Sequence, residues 1–112
     1  MNMLDQRKFT GWPSRDCYPL MRLSMEPEEL SDKFGIEFVD GRDDLDHFLA
    51  GHIFDEIIGF VVFIRHRNAP QSGTPVYVDS QVSSNESIER ITKVLSLKQN
   101  QINWTRELVK DN

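Results

Sequence analysis

The chain has little of what marks most small enzymes. One cysteine, Cys17, stands in 112 residues, so no disulfide can form within the chain. A single thiol fits a reducing compartment, and a cytoplasmic location is expected. The six glycines are scattered, and no Gly-rich phosphate loop occurs. Ser14, Ser72 and Ser80 lie in no nucleophile-elbow pattern. The longest apolar run, Ile57 to Ile64, is eight residues, too short for a membrane helix. The opening residues, Met1 to Lys8, lack the apolar stretch of a secretory signal. Basic side chains are in deficit, 13 against 18 acidic ones. A phosphate-binding surface needs the opposite balance, so no nucleic-acid partner is expected.

What is present is enough apolar material for one core. Hydrophobic residues make up 38% of the chain, seven of them Phe, and charged residues 28%. At this length two cores would each be too small, so residues 1–112 read as a single domain. Residues 1–16 read as irregular, with a turn-like cluster at Gly11-Trp12-Pro13-Ser14.

Tyr18 to Met25 is a candidate strand, with Pro19 near its start. Glu26 to Gly35 reads as a short helix. Pro27 suits its first turn, Glu28 and Glu29 complement the dipole, and Gly35 suits the stop. Ile36 to Asp40 alternates like a strand. Leu45, Phe48 and Leu49 have the spacing of a helical turn capped by Asp43 or Asp44. Phe54 to Arg65 reads as one strand buried on both faces, with Gly59 at a bulge or a close backbone approach. Val76 to Asp79 completes a hairpin across the loop at 68–75. Ser83 and Glu86 have capping-box spacing and open a helix carrying Ile88, Ile91 and Leu95. Glu86–Arg90 and Glu89–Lys93 are spaced to pair on its surface. The tail from Gln101 to Val109 suits a strand or a short helix equally. The fold class expected is α+β, a mostly antiparallel sheet with two or three helices packed on one face.

The charge is concentrated. Residues 26–56 carry eleven acids against Lys33 and Arg42, while both flanking segments are slightly basic. An acidic block of this kind keeps a protein soluble, or docks a basic partner. His47 and His52, with Asp43, Asp44, Asp46, Asp55 and Glu56 around them, offer metal-ligand types, though a five-residue spacing is wrong for one helix face. Arg65 and Arg67 share one side of a strand and could grip an anion, or simply mark the strand end. Trp12 and Trp104 fit either an interface or the closing of a small core. No cofactor is implied.

The acidic stretch Glu26 to Asp46, followed by the strand Phe60-Val61-Val62-Phe63-Ile64-Arg65-His66-Arg67, resembles immunity proteins of contact-dependent growth inhibition and related polymorphic toxin systems. The likeness covers about a third of the chain. It implies a non-catalytic, monomeric protein that binds one cognate toxin domain, often a nuclease, and occludes its active site. Carboxylates would then stand in for phosphates in the toxin's basic cleft. The contacts expected are Asp40, Asp43, Asp44, Asp46, Asp55 and Glu56, with Glu28, Glu29 and Asp32 as a second group. Two other readings compete. One is a small metal-assisted hydrolase built on His47 and His52. The other is an adaptor that self-associates through the edge of the Phe54–Asp79 hairpin.

Overall fold

Capping chemistry sets both helices. In the computed structural model, which describes residues 18–42, 47–78 and 83–106, α1 spans Pro27–Phe34 and α2 spans Ser84–Val94. Pro27 opens α1, and the Glu26 amide donates to the Glu29 side chain at 3.2 Å. Gly35 ends it in the left-handed region, φ 70°, its amide donating to the Ser31 carbonyl. The Ser83 hydroxyl accepts the Glu86 amide at 3.2 Å, as the capping-box spacing predicts. These are the two helices expected.

Six strands form one antiparallel sheet: β1 (Tyr18–Leu23), β2 (Val39–Arg42), β3 (His47–Asp55), β4 (Gly59–His66), β5 (Thr74–Val78) and β6 (Ile102–Thr105). Their spatial order is β2-β3-β4-β5-β1-β6, and every pairing is antiparallel. The first strand thus lies between the two that come last in sequence. The tail resolves as a 3-10 turn, Gln99–Gln101, leading into β6. The α+β class with a mainly antiparallel sheet is therefore as expected. Among the described residues no helix is long and apolar enough to cross a membrane.

Three segments differ from the sequence reading. The strand expected at Ile36 to Asp40 is β2, which starts later, at Val39, and runs on to Arg42. Phe48 and Leu49 lie on a strand, not a helical turn: β3 begins at His47. Its alternation is hidden because Phe48 and Leu49 are both half-buried, one on each face. The apolar run at 54–65 is two strands, since residues 56–58 turn between β3 and β4. Gly59 closes that turn at φ 85° with open space beside it, so it is neither a bulge nor a close approach. The close approaches are at Gly41, where an added Cβ would fall on the Phe48 ring, at Gly51, where it would stand 2.8 Å from Ile36 Cγ2, and at Gly73.

The core gathers Leu20, Met21, Leu23, Ile53, Val61, Phe63, Val76 and Val78 from the strands with Leu30 of α1 and Ile91 of α2. Ile53 pairs with Val61, and Val76 with Phe63, so these side chains share one side of the sheet. Val62 and Ile64 are also buried but lie outside this cluster, as strand alternation requires.

Candidate functional site

Asp55, at the end of β3, is 8% exposed. Its carboxylate accepts the Ile57 and Ile58 amides at 3.0 and 3.2 Å, which shapes the β3–β4 turn. Arg90 of α2 donates to it from Nε at 3.0 Å and lies 2.9 Å away through a second guanidinium nitrogen. Burial alone would push the Asp55 carboxyl up. The Arg90 hydrogen bonds, the two turn amides and the Arg90 charge outweigh it, and the net shift is downward. Asp55 is therefore a structural anion and leaves the expected contact set. The Arg90 guanidinium is directed here, not to Glu86 as helix spacing predicts; Glu86 instead takes the Ser83 hydroxyl at 3.2 Å.

The remaining acids fall into separate places. Glu56 is exposed in the turn after Asp55. Asp40 is exposed on the edge strand β2, where it pairs with Leu49. Leu49 and Asp55 are six residues apart on β3, about 20 Å at the usual strand rise. Asp40 and Glu56 therefore sit at opposite ends of the sheet and cannot line one cleft. Glu28, Glu29 and Asp32 are exposed on α1. Asp43, Asp44 and Asp46 lie outside the described residues, as do Cys17, Trp12 and Asp79. What remains is a run of exposed acids, contiguous in sequence, along α1 and β2. Register puts Asp40 on the side of Leu49 and Arg65, the side that Phe63 shares. Between Pro27 and Gly41, the carboxylates of Glu28, Glu29, Asp32, Glu37 and Asp40 are all exposed, and Lys33 is the only base. Glu37 was not singled out above. Its signal was its polar place in the alternating segment, outward between Ile36 and Phe38.

Among the described residues, one other acid of the block pairs with an arginine. Glu26 Oε1 accepts Arg65 Nε at 3.0 Å, and its Oε2 accepts the Gly73 amide at 2.7 Å. Arg65 also donates to the Gln71 carbonyl at 2.9 Å. The Thr74 hydroxyl, fully buried, donates to the Met25 carbonyl at 2.8 Å. This set ties the β4–β5 loop to the start of α1. Arg65 marks a strand end paired with the acidic block and is not an open anion grip.

The two competing readings meet the geometry as follows. His47 and His52 occupy one strand at an odd separation, so they project from opposite faces and cannot ligate one ion together. His52 instead packs edge-on against Phe60, ring centres 5.7 Å apart. Among the described residues no group of three or more His, Cys, Asp or Glu converges. The hairpin of β4 and β5 has no free edge, because β3 flanks one strand and β1 the other. Among the described strands the sheet's edges are β2 and β6. A shallow cleft of about 190 Å³ opens near the β2 edge, lined by Asp40, His47, Phe48, Arg65, His66 and Arg67 among others. Phe48 there stacks at a tilt on His66, 5.4 Å between centres. Trp104 on β6 is 41% exposed, so it does not close the core. Set against known proteins, the chain matches no family model, no curated protein and no solved structure.

Proposed function

We propose that this chain is a non-catalytic immunity protein, which binds and neutralises a basic protein partner such as a nuclease toxin domain. The docking surface is the acidic face of α1 and β2, formed by Glu28, Glu29, Asp32, Glu37 and Asp40. The observation that carries the reading is that these five residues are exposed, with Lys33 and Arg42 the bases of the same stretch, while among the described residues the acids paired with arginines are Asp55 and Glu26. We infer too that both helices cover the same side of the sheet, because Leu30 and Ile91 join one buried cluster with Val61 and Phe63. That arrangement puts α1 on the side where Asp40 emerges. Negative potential over such a face speeds encounter with a positively charged cleft and disfavours other partners. The protein is expected to act as a cytoplasmic monomer.

The test starts from the reading frame beside this chain's own, which should encode a large protein ending in a toxin domain. That domain is purified and its association with this chain is followed by stopped flow at rising salt. The triple variant Glu28→Lys, Asp32→Lys, Asp40→Lys should associate at least tenfold more slowly at low salt and lose most of its salt dependence. An unchanged rate, or a neighbouring frame with no toxin domain, overturns the reading.

A further inference from the structure

A second surface, away from the acidic run, has the makings of a recognition groove. It lies across β5, β1 and β6 and holds about 350 Å³, with Pro19, Arg22, Gln71, Pro75, Tyr77 and Trp104 along it. Register aligns Pro75, Arg22 and Trp104 in one row over three strands, and Pro19 beside Tyr77 in the next. Tyr77 also pairs with Val62, so the row belongs to the side of the sheet opposite the Val61 and Phe63 cluster.

Its chemistry is one-sided. Trp104 is among the most exposed large apolar side chains described, and Tyr77 is half-buried, its phenol pushed up by that burial. Two proline rings flank them. Among the described residues no carboxylate lines the groove. One guanidinium lies within it, that of Arg22; Arg106 donates to the Pro19 carbonyl at 3.2 Å but lies over the ring of Tyr18, which pairs with Val78 on the core side. Arg22 donates one terminal nitrogen to Gln71 Oε1 at 2.6 Å, which holds the guanidinium in place. Its Nε is shut off from solvent and has no hydrogen-bond partner. A carboxylate is the acceptor matched to the fork of a guanidinium held in this way.

We infer that this groove binds an acidic peptide segment, placing a carboxylate on Arg22 and a neighbouring apolar side chain against Trp104 and Tyr77. Aromatic walls beside an arginine are the usual anchors of peptide recognition. Among the described strands β6 is an edge, and it runs alongside, where an extended peptide backbone can lie. The inference does not depend on the acidic face of α1 and β2, which takes a partner of opposite charge.

The experiment selects binders from a random heptapeptide library against the full chain. Selection should enrich sequences with Asp or Glu beside an apolar residue. Binding of the selected peptides is then read from the indole resonance of Trp104 in a Trp12→Phe background. Replacing the peptide's acid by its amide should weaken binding at least tenfold. Arg22→Lys, which keeps the charge but loses the planar fork, should do the same, and Trp104→Ala, at an exposed site with little burden on folding, should also weaken binding. A small acid, 3-phenylpropionate, should bind at least a hundredfold more weakly than the peptides. Failure to enrich acidic peptides overturns the inference. So does binding that persists in both Arg22→Lys and Trp104→Ala, or 3-phenylpropionate binding as tightly as the peptides, which would make this a small-molecule site.

Discussion

Gly73 offers the sharpest test of how the chain is held together. Its φ is 93°, and a Cβ placed there would fall on the carbonyl oxygen of Leu23, with Asn103 Nδ2 3.3 Å away. Gly35 supplies the internal control: its φ is 70°, yet nothing lies within 4 Å of an added Cβ. Alanine in the left-handed region costs about 1–2 kcal/mol, and removing a glycine from the unfolded chain returns about 0.4–1 kcal/mol. Gly35→Ala should therefore destabilise by roughly 1 kcal/mol. Gly73→Ala meets the same strain and a backbone oxygen as well. Leu23 cannot retreat, because it is fully buried and pairs with Thr74 on one side and Ile102 on the other. Overpacking of this kind adds about 1–3 kcal/mol, and the Gly73 amide must also leave Glu26 Oε2. The sum is about 3–4 kcal/mol. For a domain of this size that lowers Tm by roughly 12 °C or more, against about 5 °C for Gly35→Ala. Urea titration and thermal unfolding of the two variants give the comparison directly. Equal losses, within about 0.5 kcal/mol, would show that the Leu23 carbonyl is not a fixed wall and would refute the reasoning.

The remaining predictions concern charge and packing. Asp55 has a lowered pKa in the folded chain, so its contribution is present above the ordinary aspartate value and disappears as pH falls through the folded one. Stability measured by urea titration should therefore drop below about pH 4, and Asp55→Asn should be less stable at neutral pH and flatter across that range. Glu26→Gln should cost about 1 kcal/mol, the pair being partly exposed, and should speed hydrogen exchange at the Gly73 amide. Phe63→Ala, at a fully buried site, should cost about 3–5 kcal/mol in the same titration.

The helices were legible because their ends are written in local chemistry. Pro27 and Gly35 bracket α1, and Ser83 with Glu86 opens α2. Strand identity was harder. The spacing of Leu45, Phe48 and Leu49 imitates a helix, and only pairing with β2 and β4 makes 48 and 49 a strand. The β3–β4 turn escaped notice because Ile57 and Ile58 are apolar, and Ile57 is 56% exposed all the same. The available signal was Asp55 itself, a side-chain acceptor for the next amides, with Gly59 at the exit. The candidate surface was legible as composition and not as geometry. Acids close in sequence were parted by the length of β3, and the arginine that claims Asp55 comes 35 residues later, on another element. No local pattern encodes such a partnership.

The place of β1 in the sheet bears on how the chain must fold. Its two neighbours begin at Thr74 and Ile102, so its hydrogen bonds close loops of some fifty and eighty residues. A polypeptide emerging from the ribosome would hold this apolar strand without a mate until most of the sequence had appeared. High contact order of this kind makes for slow folding and for a long interval in which the strand is open to wrong pairings. Chains shortened after α2 would retain five of the described strands and leave β1, which carries Leu20, Met21 and Leu23, at the border among them; such fragments should aggregate where the whole protein does not.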